Sequence, residues 1–125
     1  MAKDENRKKV AVEFLRLAAS GKADEGKHFF ARECKHHNPF FPADMNALLS
    51  AMVDAAKSFS DGRLVIKSVM ADGDLVAVHA AYENGAGKLG MVQVHLFRFS
   101  GEKIVEYWDV TQMAPENSPN VNGMV

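Results

Sequence analysis

Two residues of this chain are suited by type and placement to move a proton beside a carbonyl group: Asp109 and His95. Asp109 follows Trp108 inside the run IVEYWDVTQ (104–112), although aspartate is depleted in strands. His95 stands inside GMVQVHLFRF (90–99), among valine, leucine and phenylalanine. Polar groups in half-buried strands are costly unless they are paired or used. Asp109 reads as a general base acting next to a carbonyl, with burial beside aromatics expected to raise its pKa towards neutrality. The competing reading is an edge-strand or ion-paired aspartate. His95 would orient Asp109 or donate to an enolate oxygen; otherwise it is a hydrogen-bonded core histidine or one on a dimer face.

Other candidates surround this pair. His37 precedes Asn38-Pro39 in a turn placed to close over a pocket mouth, and its role would be catalytic. His79 shares a strand face with the small residues Ala77 and Ala81, which leaves room for a ligand or a second subunit. Gln93 and Tyr82 are candidate hydrogen-bond donors to a ligand. Trp108 and Phe97 are candidate apolar wall. His36 alternates away from His37 and is expected in solvent. No HxH or HExxH spacing is present, so no metal is expected, and no dinucleotide or phosphate-loop fingerprint calls for a cofactor.

Periodicity assigns these residues to helices and strands. Asp4 to Ala19 has helical spacing: Val10, Phe14, Leu17 and Ala18 form an apolar stripe widened by Ala11 and Leu15, and Arg7, Lys8, Lys9, Glu13 and Arg16 form the wet side. Asp4 is placed to cap it and Gly21 to end it. Ala23 to Ala31 reads as a short helix carrying Phe29 and Phe30, followed by a short strand ending at Asn38-Pro39. Pro42 and Asp44 open a helix running to about Lys57. From Gly62 the period becomes two. Arg63–Met70 and Leu75–Tyr82 are strands around an Asp72-Gly73 turn, and the arms on either side of SGEK (100–103) form a second hairpin.

The register of that second hairpin decides the chemistry. If Ser100 pairs with Ile104, as a bulge near Gly101 would allow, His95 lies directly across from Asp109. If Ser100 pairs with Lys103, the two point to opposite faces. Apolar patterning does not choose between them.

The chain of 125 residues suffices for one domain with one core, residues 1–125. Helices followed by an antiparallel meander argue an α+β fold, with a curved sheet wrapped on helices and a pocket where cover is incomplete. A formal net charge of -1 speaks against nucleic acid as a partner. No apolar run is long enough to span a membrane. A single cysteine, Cys34, and a charged N-terminus without a signal-peptide core fit a cytoplasmic setting.

HHNP (36–39), DLVAVHAAY (74–82), LFRF with IVEYWDVTQ (96–112) and the terminal NGMV together resemble the SnoaL-like polyketide-cyclase branch of the NTF2-like superfamily. The resemblance covers nearly the whole chain. It implies a cone-shaped α+β barrel with a deep pocket, and a homodimer formed through the outer sheet face. Asp109 matches the aspartate of the family's HWD motif, similar to the acid/base residue of the cyclases. His37 matches the histidine of QHNP, His79 that of the DLV-x-VH strand, and His95 a position often acidic or histidine. Tyr107 stands where the family has the histidine of HWD, and His36 replaces glutamine. These departures keep any relative's substrate from being carried over.

The residues thus point first to a cofactor-independent lyase or isomerase acting on a small hydrophobic carbonyl ligand. A binding module with the same pocket and no chemistry is the second reading, and a dimeric interaction domain the third.

Overall fold

The computed structural model describes residues 2–125. Helix α1 spans Ala2–Ala19, and a 3-10 helix covers Ala23–Phe29. Strand β1 (Phe30–His36), helix α2 (Met45–Lys57) and strands β2 (Arg63–Asp72), β3 (Leu75–Glu83), β4 (Leu89–Ser100) and β5 (Lys103–Met113) follow. The sheet order is β1-β5-β4-β3-β2; the pairs among β2 to β5 are antiparallel, and β1 joins β5 in parallel. This is the expected α+β arrangement, with the N-terminal helices packed on one face of the sheet.

Local chemistry explains most boundaries. α1 starts at Ala2, so Asp4 sits in its first turn, where a carboxylate meets the positive end of the helix, and does not cap it. Gly21 ends the helix at φ +79°, a conformation that glycine adopts without steric cost. Asp44 caps α2, its side chain accepting from the Asn46 amide at 3.1 Å. The first hairpin turns at Gly73-Asp74, one residue later than expected, because Asp72 pairs with Leu75. Gly73 and Gly101 both have positive φ at the first central position of two-residue turns.

The core is a single cluster. Ala11, Phe14 and Leu15 of α1 and Leu48 and Leu49 of α2 cover Val76, Val78, Phe97, Phe99, Ile104 and Tyr107 of the sheet. Phe30 belongs to β1, not to a helix, and its ring meets Phe14 edge-on at 4.7 Å. Arg7, expected on the wet side of α1, is buried. Its guanidinium donates to the Gly101 carbonyl at 3.2 and 3.0 Å and lies 5.5 Å from the Phe99 ring centre. The helix therefore grips the β4–β5 turn through a charged side chain that carries a fork of N–H donors on an apolar stem.

Candidate functional site

The β4–β5 hairpin combines the two registers that the sequence left open. Ser100 pairs with Lys103, the tight turn, and Phe99 with Ile104. The next pair is Arg98 with Glu106, so Val105 is an extra residue on β5. That bulge moves the pairing on by one, and His95 stands directly opposite Asp109. It also turns Ile104 inward to join Tyr107, which simple alternation along β5 forbids.

His95 and Asp109 line a cavity of about 210 Å³ between the sheet and the helices. Leu15, Leu48, Met52, Leu64 and Met91 supply apolar wall, and Phe41 and Phe59 stand at its edge. Tyr82, Gln93, Tyr107 and Asn38 complete the polar side. Arg63 also lines the cavity and is ion-paired with Glu83 at 3.0 Å.

Asp109 is half-buried, and its two oxygens accept from the Asn38 amide nitrogen, each at 3.2 Å. Among the described residues no cationic side chain pairs with it. Its negative charge is felt nearby: burial first, and Asp109 second, push the Tyr82 hydroxyl up to about 12. Burial, Asp109 and Tyr82 together hold Tyr107 well above the ordinary range. Both phenols therefore stay protonated and can donate. Gln93 donates to the Thr111 hydroxyl at 2.7 Å.

His95 is 3% exposed, and this desolvation lowers its pKa to about 4, so the imidazole is neutral. Nδ1 lies 2.7 Å from the Tyr107 hydroxyl. Nε2 is buried and, among the described residues, is the one buried side-chain nitrogen or oxygen without a partner. His95 lines the cavity, and a buried polar atom is rarely left without a partner.

Four residues expected at the ligand are placed elsewhere. His37 does not close over the cavity. It is exposed on the opposite face of the sheet, stacked on Trp108 (centroids 4.9 Å apart, planes 10° apart) and bonded to Glu106 at 2.6 Å. Trp108 is on that outer face because it alternates with Tyr107 and Asp109, and Arg98 lies 5.7 Å from its ring centre. His79 pairs with Ser68 and Val94, residues of the outer face, so it lies away from the cavity. Phe97 is on the inner face but fully buried in the core, ringed by Phe14, His95 and Tyr107, and does not reach the cavity.

Two residues of the site were not singled out from the sequence. Asn38 is delivered by the end of β1. His36, expected in solvent, is buried; its Nε2 is 2.6 Å from the Pro42 carbonyl and its Nδ1 accepts the Asn38 amide hydrogen at 3.2 Å. The 36–42 loop is thus pinned at both ends of one imidazole, and Asn38 points at Asp109. Tyr107 lies two residues before Asp109 on the same strand face, a spacing that marks it as a neighbour of the site. Among the described residues, no three His, Cys, Asp or Glu side chains gather as a metal site.

Residues 11–107 match the model of the SnoaL-like domain, and the chain belongs to that family. No curated protein matches it. Among solved structures it is similar to a provisionally assigned SnoaL-like polyketide cyclase from Jannaschia sp. CCS1, with 12% identity, 90% of this chain and 89% of that one covered, and TM-score 0.74. AclR from Streptomyces galilaeus, a provisionally assigned hydroxylase, shares 23% identity over 85% of this chain and 88% of its own, with TM-score 0.70. A provisionally assigned polyketide cyclase from Acidithiobacillus ferrooxidans shares 20% over 86% and 88%, with TM-score 0.64. At these identities the likeness is one of fold, the curved-sheet NTF2-like fold, and neighbours named for different activities share it.

Proposed function

We propose that this protein is a cofactor-independent lyase or isomerase that removes a proton from the α-carbon of a small, uncharged, hydrophobic carbonyl compound. The observation that carries this is the placement of Asp109: a carboxylate on the wall of a largely apolar cavity, ion-paired with no cationic side chain among the described residues, directly across from a neutral histidine. In the proposed step a carboxylate oxygen takes the α-proton, the C–H electrons form the enolate double bond, and the carbonyl π electrons move to oxygen. A hydrogen bond from His95 stabilises that oxygen as charge develops. Return of the proton to another carbon of a conjugated enolate gives isomerisation; attack of the enolate carbon on a second carbonyl closes a ring in aldol fashion, and the alkoxide so formed takes the proton back from Asp109. Tyr82 and Gln93 are the further polar groups available to orient the ligand.

Asn38 favours a second reading. By engaging both oxygens it fixes Asp109 as an acceptor, as a binding module without chemistry would need. Exchange into deuterium oxide separates the two. With α-tetralone as probe ketone, the protein should accelerate loss of the α-protons followed by NMR, and Asp109→Asn should slow it by about 10²-fold or more. Binding of the ketone without accelerated exchange would leave the binding module standing.

The outer sheet face exposes Met70, Val94 and Val110. We place a homodimer contact there: Val94→Glu combined with Val110→Glu should yield monomers by sedimentation. Burial, with Glu106 and Glu33 adding to it, pushes the Cys34 thiol up to about 12. We propose a cytoplasmic setting on the sequence alone, from the single cysteine and the charged N-terminus.

A further inference from the structure

We propose that Tyr107 is a positioning residue: its hydroxyl donates to Nδ1 of His95 and so keeps the imidazole's single proton on Nε2, the atom offered to a carbonyl oxygen in the cavity. The tautomer stands on the geometry alone, and the carbonyl rests on the functional reading above.

The direction of this bond follows from the groups each choice leaves unsatisfied. A neutral imidazole has one N–H and one lone-pair nitrogen, and a phenol has one O–H and acceptor capacity. The contact between Nδ1 and the hydroxyl, at 2.7 Å, has two possible directions. If Nδ1–H donates to the phenol, the phenol's own hydrogen has no acceptor among the described residues, and the Nε2 lone pair is also unpaired. If the phenol donates to Nδ1, a single donor, Nε2–H, remains unpaired. Buried polar groups are rarely left without partners, so the second direction is favoured. It also matches the better donor, a phenol, with the better acceptor, an imine nitrogen.

Packing holds the arrangement in place. Tyr107 is fully buried, and its ring stacks on His95 with centroids 6.0 Å and planes 22° apart. Phe97 covers His95 at 6.4 Å and 25°. The pairs His95–Asp109 and Phe97–Tyr107 are neighbours in the ladder, so His95 and Tyr107 are diagonal cross-strand partners on one face. Desolvation keeps the ring uncharged. His95 is then a neutral donor of fixed orientation, which needs no reorganisation when an enolate forms.

Long-range proton–nitrogen correlation NMR of the full chain with labelled imidazoles tests this. In the wild type, His95 should show Nδ1 as a hydrogen-bonded, proton-free nitrogen and Nε2 as the protonated one. Tyr107→Phe, nearly isosteric, should move Nδ1 towards the position of a free lone pair. A protonated Nδ1 in the wild type overturns the proposal, as does an unmoved Nδ1 in a folded Tyr107→Phe. The wild-type spectrum decides the direction of the bond even where that variant fails to fold. Added α-tetralone should shift Nε2 far more than Nδ1, and an Nε2 resonance that stays fixed up to the ketone's solubility limit overturns the carbonyl-facing role. The spectra of Asp109→Asn should retain the wild-type tautomer. Loss of the general-base reading through unchanged exchange in Asp109→Asn is therefore a separate result.

Discussion

His95 and Asp109 are cross-strand partners because Val105 is not paired. Continued without interruption from Ser100 and Lys103, the β4–β5 ladder would set His95 against Trp108. The side chain at 109 would then face the outside of the sheet. One inserted residue returns the carboxylate to the inner face.

Deleting Val105 tests this relationship. With the extra residue gone, Phe99 can still pair with Ile104 and Arg98 with Glu106, so an uninterrupted ladder keeps Ile104, Tyr107 and Asp109 on the inner face. The deletion should therefore cost less than about 1.5 kcal/mol. An alanine inserted between Arg98 and Phe99 instead gives Val105 a partner, and a regular ladder must then turn either Phe97 and Tyr107 or Phe99 and Ile104 out of the core. These side chains are buried, so that loss of stability should be on the order of 4 kcal/mol, the scale of a large-to-small core change. Urea midpoints of the two variants measure this. An insertion variant as stable as the deletion would show that the bulge is not what sets the register.

Asn38→Ala removes the donor shared by the two Asp109 oxygens. Hydrogen bonds to charged groups contribute more than neutral ones, but this pair is partly solvated, so the expected destabilisation is about 1 kcal/mol. The deuterium exchange of α-tetralone should fall by roughly tenfold, because an untethered carboxylate samples orientations away from the ligand. Asn38→Asp should be worse than Asn38→Ala, since it brings a second carboxyl group against the first. An Asn38→Ala protein with wild-type exchange would show that Asp109 needs no orienting partner.

His37 gives a contrast. It is stacked on Trp108 outside the cup, and its bond to Glu106 lowers that carboxyl group's pKa. His37→Ala should leave exchange of the probe ketone within about twofold of wild type, as expected for a surface change remote from the cavity. A loss near that of Asp109→Asn would place His37 at the chemistry after all.

What the sequence made legible, and what it hid, follows from the kind of information in strands. Alternation assigns residues to faces, and it was enough to pair Gln93 with His95 and to separate Trp108 from Asp109. Both of the latter were nonetheless expected at the ligand, although alternation sets them on opposite faces. Phe97 shows that a face is not a depth: it shares the inner side with His95 but lies beneath the cavity floor. His79 was ambiguous because β3 is apolar on both sides, Val76, Val78 and Ala80 inside and Ala77 and Ala81 outside, so no polar face broke the tie. His37 and Asn38 are beyond the end of β1, where no period applies. Which of the two reaches Asp109 is set by the bonds of His36 to the 36–42 loop. Arg7 escaped for a different reason: helical spacing marks a charged residue as wet, and only the long-range bond to Gly101 satisfies it in the interior.

The buried, uncharged His95 also sets a dependence of stability on pH. Desolvation depresses its folded-state pKa from 6.5 to about 4. As pH falls below 6.5 the unfolded chain takes up a proton that the native ring refuses, so stability declines with falling pH. The decline levels off near pH 4, where the native ring also protonates. Tyr107 and Asp109 from β5 face the ring, and Val78 from β3 pairs with it. Tyr107 stays neutral throughout that window, so it offers the imidazolium no charge. Between about pH 7.5 and about pH 5 the contribution of His95 should be about 2 kcal/mol, from one and a half pH units of unmatched protonation. His95→Gln removes this titration and leaves the rest of the chain unchanged. The fall in urea-derived stability over that range should therefore be about 2 kcal/mol larger for wild type than for His95→Gln. Equal slopes would mean that the ring accepts its proton in the native state, and a charged imidazole would then face the ligand in place of a neutral donor.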